Sequence, residues 1–152
     1  MMKSHTIRNS LLVLVTIAAF GAIIFASFSD SNESYTNLSV QEVKSRMDSG
    51  GDEFVLIDVR TPQEYTGRLG HLGNAPLYPI QNIDTRYKEL KQYSEQGKEL
   101  ILYCRSGNRS RRAAEFLEKH GFDNVYNMEG GMRAWNNHFG RPAGSDNPPP
   151  NM

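Results

Sequence analysis

The sequence predicts an α/β domain built on a parallel sheet, preceded by one N-terminal hydrophobic segment. Three observations carry that expectation. Short apolar runs at 54–57, 100–103 and 125–128 have the length of buried strands, and stretches of helical periodicity lie between them. Two segments, Ser39-Val-Gln-Glu42 and Thr61-Pro62-Gln63-Glu64, carry an N-cap residue with an acid three positions on, which marks a helix start. Glycines stand where helices should stop, at Gly50-Gly51, Gly67, Gly97 and Gly121. Strands alternating with helices imply parallel pairing, and ligands then bind beyond the carboxyl ends of the strands.

Residues 9–29 carry no charge and 11–28 are almost continuously apolar, with Lys3 and Arg8 before them and Asp30 and Glu33 after. This pattern predicts export. The apolar run exceeds the usual core of a signal peptide and approaches a full span, so a retained anchor is favoured over a cleaved signal peptide. The positive N-terminus then stays inside and the domain faces outward, on the periplasmic side. The expected organisation is an N-terminal signal or anchor over 1–29, a linker over 30–37, a domain over 38–141 and a disordered tail over 142–152. The Ser- and Asn-rich composition of the linker and Pro148-Pro149-Pro150 in the tail support the two flexible segments.

Within the domain, Ser39 opens a helix through about Met47, and residues 54–57 form a buried strand ending at Asp58. Thr61, with Pro62 at the first helical position, starts a short helix. Residues 69–79, with Gly70, Gly73, Pro76 and Pro79, read as a loop in which His71 bonds to backbone. Helical periodicity runs over 84–93, a strand over 100–103, a helix over 110–120, a strand over 125–128 and a last helix over 132–138 carrying Trp135 toward the core.

Composition excludes several functions. The 152 residues suit one domain, and formal net charge is zero. Removing Lys3 and Arg8 leaves 15 basic residues against 17 acidic, a balance of −2 that gives no reason to expect nucleic acid. The arginines Arg105, Arg109, Arg111 and Arg112 lack the interleaved aromatics that stack bases. The four histidines, His5, His71, His120 and His138, show no metal-ligand spacing, and neither a metal nor a cofactor is expected. A single cysteine cannot form an internal disulfide.

That cysteine, Cys104, stands where the strand 100–103 gives way to Arg105-Ser106-Gly107-Asn108-Arg109, a small polar loop followed by a helix. Consecutive N–H groups in such a loop form an anion-binding nest, and the helix adds the positive end of its dipole. Both favour thiolate over thiol and should lower the pKa from about 8.5. Arg105 and Arg109 add donors suited to an anionic substrate. A free cysteine is ordinarily a packing residue. The glycine, the two arginines and the strand-to-helix position instead favour a nucleophile.

Cys104-Arg-Ser-Gly-Asn-Arg-Ser110 resembles the active-site loop of rhodanese-like sulfurtransferases. Leu56-Ile-Asp-Val-Arg60 with Glu64-Tyr65, Gly70-His71-Leu72 and Gly130-Gly131-Met-Arg-Ala-Trp135 resemble the same family, in the same order, over about residues 38–142. Gly73-Asn74-Ala75-Pro76 departs from the family, which has a proline and a glycine before the alanine. The resemblance implies a five-stranded parallel sheet with helices on both faces. It also implies sulfur transfer through a Cys104 persulfide, from thiosulfate or a related small anionic donor to a thiol or cyanide. Arg105, Ser106, Gly107, Asn108 and Arg109 would then bind the donor and the persulfide, and Asp58 and Arg60 would support the loop.

Two competing readings follow from the same residues. Cysteine phosphatases also set a thiolate above an anion-cradling loop, but they separate Cys and Arg by five residues, whereas four separate Cys104 from Arg109. The shorter loop suits a sulfur atom better than a phosphoryl group. The second is a non-catalytic module that senses persulfide or docks a partner.

Overall fold

The computed structural model describes residues 35–151. The N-terminal apolar segment, and with it the expected signal or anchor, lies outside them. Among the described residues no helix is long and apolar enough to cross a membrane. The elements are β1 (Thr36–Leu38), α1 (Val40–Ser49), β2 (Phe54–Asp58), α2 (Pro62–Tyr65), α3 (Ile83–Arg86), α4 (Lys91–Glu95), β3 (Glu99–Tyr103), α5 (Asn108–Lys119), β4 (Val125–Met128) and α6 (Gly131–Phe139).

All strand pairs are parallel, in the order β1-β4-β3-β2. Asp58 pairs with Tyr103, so β2 and β3 end level with each other and place Cys104 beyond the carboxyl edge of the sheet. Alternation along β3 sorts the core. Leu100, Leu102 and Cys104 face Ala113, Ala114 and Leu117 of α5. Ile101 and Tyr103 face Val40 and Val43 of α1 and Met132 and Trp135 of α6. Helices therefore cover both faces. Burial of each leucine or isoleucine of β3 contributes about 1.5–3 kcal/mol, which fixes the strand that carries the cysteine.

Both expected capping boxes form. At α1 the Glu42 N–H donates to Ser39 Oγ at 3.2 Å and the Ser39 N–H donates to Glu42 Oε2 at 2.7 Å. At α2 the Glu64 N–H donates to Thr61 Oγ1 at 3.3 Å and the Thr61 N–H donates to Glu64 Oε2 at 3.2 Å.

Among the described residues the sheet has four strands, not the expected five. The fifth position is a single bridge between Asp58 and Leu77. The Tyr78 N–H donates to Asp58 O at 2.8 Å and the Asp58 N–H to Pro76 O at 3.0 Å. Pro76 and Pro79 flank the bridge and have no N–H to extend it. The segment read as a linker ends in β1, whose exposed Thr36 and Asn37 gave no apolar signal and which is held by its ladder with β4. Residues 84–93 do not form one helix: α3 and α4 are separated by a 3-10 turn at Tyr87–Leu90. The tail read as disordered is laid against the domain, with Ser145 fully buried and Asn151 bonded to Leu77.

Candidate active site

Cys104 follows the last residue of β3, and α5 begins four residues later at Asn108. The turn between them depends on Gly107, the α5 N-cap, whose φ of 90° is left-handed. Asn108 and Arg109, expected in the loop, belong to the first turn of α5.

The loop is docked onto the N-terminus of α6. The first N–H groups of a helix have no partner within it. Here the Met132 N–H donates to Cys104 O at 2.9 Å and the Arg133 N–H to Arg105 O at 3.0 Å. This approach requires glycine at the start of α6, because a Cβ on Gly131 would lie 2.3 Å from Cys104 O. A Cβ on Gly107 would reach 3.0 Å from the Gly130 nitrogen, so loop and helix interlock backbone to backbone. The Gly130-Gly131 pair noted in the sequence thus has a physical role in placing the cysteine.

The Cys104 sulfur accepts the Gly107 N–H at 3.2 Å and has no exposed surface. Burial is the largest single influence on its acidity and pushes the pKa up. Hydrogen bonds from the Ser110 side chain and from the backbone N–H groups of Ser110, Ser106 and Arg109 together outweigh it and hold the thiol below its ordinary value. The Ser110 hydroxyl donates to Gly107 O at 3.0 Å, and rotation of its proton serves the thiolate instead. The arrangement is an anion nest closed around one sulfur atom.

Arg109, expected to face a donor, is engaged by Glu64 of α2. Nη1 donates to Oε2 at 2.7 Å and Nη2 to Oε1 at 2.6 Å, a bidentate pair. The Arg109 bonds lead the causes that hold the Glu64 carboxyl down to about 2. Glu64 in turn raises the guanidinium, with smaller contributions from the nearby Cys104. Arg105 and Asn108 are exposed and Ser106 is half-buried.

Asp58 and Arg60 do not reach the sulfur. They form a fully buried ion pair in which Arg60 Nε donates to Asp58 Oδ1 at 2.9 Å and Nη2 to Oδ2 at 2.5 Å. Arg60 Nη2 also donates to Gly70 O at 2.8 Å, and the guanidinium lies 5.6 Å from the centre of the Tyr103 ring. The pair therefore ties the end of β2 to the 70–72 loop and to the residue before Cys104. His71 is buried and stacked on Tyr65 with ring centres 3.9 Å apart. Burial pushes its pKa down, and neither ring nitrogen makes the backbone hydrogen bond expected of it.

Sequence reasoning missed two residues of the site, Glu64 and Ser110. Glu64 carried a signal as a capping residue and within a family-like segment, neither of which points to its partner 45 positions away. Ser110 closed the quoted loop motif but read as the start of a helix.

The rhodanese-like domain model matches residues 39–138. The uncharacterized protein YqhL of Bacillus subtilis is 32% identical over 84% of this chain and 93% of its own length. A protein of Allochromatium vinosum called sulfurtransferase is 33% identical over 57% of this chain and 76% of its own. The crystal structure of a rhodanese-related protein from Thermoplasma volcanium superposes with a TM-score of 0.59 at 28% identity, covering 69% of this chain and 94% of that one.

Proposed function

Because the chain belongs to the rhodanese-like domain family, we propose that it is a sulfurtransferase that carries sulfane sulfur on Cys104, from thiosulfate or a related small anionic donor to a thiol or cyanide. The observation that carries the reading is the sulfur itself, set at a strand end inside a nest of N–H donors that favour the anion.

The Cys104 thiolate attacks the outer sulfur of thiosulfate. The sulfur–sulfur bond of the donor breaks and sulfite leaves with the bonding pair. The resulting persulfide anion keeps its charge within the N–H groups of Ser106, Gly107, Arg109 and Ser110. An acceptor thiolate or cyanide then attacks the outer sulfur and Cys104 leaves as thiolate, restoring the start. Since the sequence has one cysteine, no internal disulfide discharges the persulfide. The step asks for no general base if the thiolate is already formed, and the lowered pKa supports that.

Thiosulfate alone, with no acceptor, should add one sulfur atom to the protein by intact mass. Cyanide or excess thiol should remove it, and Cys104→Ser should never acquire it. Transfer without loading would sink the mechanism. Loading without turnover would favour the persulfide-sensing or partner-binding reading, for which the complete burial of Cys104 is the supporting observation. The charge pattern of the N-terminal segment supports an exported domain held at the membrane. Protease applied outside the inner membrane should then digest the domain, and a mature chain starting near Asp30 would replace the anchor by a cleaved signal.

A further inference from the structure

We propose that Glu64 sets donor specificity by occupying the Arg109 fork that an anionic donor must take, so that carboxylate and donor compete for one guanidinium. This rests on the sulfur-transfer reading. Three observations carry it. The pair is bidentate, at 2.7 and 2.6 Å, the geometry in which Arg receives a planar pair of oxygens from any oxyanion. Arg109 and Glu64 keep 26% and 27% of their side-chain surface exposed, while the sulfur beside Arg109 has none. The ion pair is thus open to an anion from solvent where the sulfur is not. The Glu64 carboxylate is also fixed from behind, because Oε2 accepts the Thr61 N–H at 3.2 Å. It is a preorganised competitor and not a mobile side chain that drifts away.

The exchange breaks no covalent bond. Two N–H bonds of Arg109 pass from the carboxylate to the donor's anionic oxygens, and water takes the freed carboxylate. A donor with a charged oxygen head, such as thiosulfate, drives this exchange. An uncharged donor, such as a dialkyl trisulfide, has no charged oxygens for Arg109 and does not compete with the carboxylate for it. Glu64 thus taxes charged donors through competition and leaves uncharged ones as they were.

The test is Glu64→Gln in the otherwise unchanged protein. Glutamine still accepts the Thr61 N–H, so the helix cap survives, but the charge and one acceptor are gone. The KM for thiosulfate should fall about five- to tenfold, the difference between a charge-assisted and a neutral pair of bonds, with kcat changed far less. The kcat/KM ratio of thiosulfate to dialkyl trisulfide should change accordingly in favour of thiosulfate. A readout free of turnover is alkylation of Cys104. The rate ratio of anionic iodoacetate to neutral iodoacetamide should rise several-fold in Glu64→Gln. Thr61→Ala, which breaks the cap and leaves the ion pair, should leave that ratio where it was.

A rise in thiosulfate KM, or an equal fall for both donors, would show that Glu64 only holds Arg109 in place and would overturn the proposal. So would an unchanged alkylation ratio, whatever the turnover. If the wild type carries no sulfur from any donor but the alkylation ratio still rises, the competition stands and the sulfur-transfer reading falls.

Discussion

At Cys104 the balance lies between burial, which penalises a thiolate, and a ring of donors that rewards it. Ser110 is the member of that ring that acts through a side chain, so its removal leaves the backbone donors in place and costs only its bond to Gly107 O. Alkylation rate against pH should have its midpoint below about 8.5, the value of a free thiol. Ser110→Ala should raise that midpoint by about one unit, since a hydrogen bond to a charged group contributes about 1.5–3 kcal/mol and one unit is about 1.4. A midpoint unmoved by the substitution would show that the backbone N–H groups alone hold the anion. Glu64 makes a second prediction at this scale. Its folded pKa of about 2 lies below its ordinary value of 4.5. The pair with Arg109 therefore stabilises the fold above about pH 4.5, and its contribution is lost as pH falls toward 2. In urea unfolding, wild type and Glu64→Gln should differ at pH 6 and converge as the pH approaches 2. A gap that persists at pH 2 would contradict the assignment. Cys104 and both arginines were legible in the sequence because their residue types announce charge chemistry. Glu64 was not, since what makes it part of the site is a contact between α2 and α5.

Among the elements, the pair formed by the Cys104 loop and α6 decides whether the nest exists. Gly131 has a φ of 54° and its missing Cβ leaves room for Cys104 O. Gly131→Ala adds left-handed strain, of order 1–2 kcal/mol, to a 2.3 Å clash with backbone that cannot move aside. The substitution should lower stability by more than about 2 kcal/mol in denaturant unfolding and return the Cys104 alkylation midpoint toward that of a free thiol. If stability falls while the midpoint stays low, the docking of α6 is structural and does not shape the nest. The capped helices α1 and α2 and the apolar strands β2, β3 and β4 could be read directly, because each carries its own start, stop or core pattern. β1 could not, because three residues with two exposed side chains have no period of their own. The start of α5 was read two residues late, since Gly107 was taken as part of the loop and its left-handed φ, which caps the helix, has no signature in the residue type alone.

Across the whole molecule, a chain of contacts runs from the C-terminal segment to the strand end that carries the cysteine. Ser145 packs where a Cβ on Gly70 would sit, the Gly70 carbonyl accepts from Arg60, and Arg60 pairs with Asp58 at the end of β2, level with Tyr103. The same segment finishes at the open edge of the sheet. There Asn151 Oδ1 accepts the Leu77 N–H at 2.8 Å and Nδ2 donates to Leu77 O at 2.9 Å, the two bonds a neighbouring strand would have made. Composition alone could not reveal this, because a Pro-rich polar stretch reads as disorder unless its polar groups find fixed partners, and the partner of Asn151 lies 74 positions away. The proline residues that stop the fifth strand also leave Leu77 in need of such a cap, since an uncovered edge is a template for pairing with another chain. Asn151→Ala should therefore cost about 1–2 kcal/mol for two bonds lost at a partly buried position. Amide exchange at Leu77 should quicken while exchange at Leu102, in the middle of the sheet, follows only the global change. Asn151→Asp is the sharper variant: its carboxylate still accepts the Leu77 N–H but turns a second oxygen on the Leu77 carbonyl, so it should be no more stable than alanine. Equal protection of Leu77 in all three proteins would mean that the edge is covered by something other than the asparagine amide.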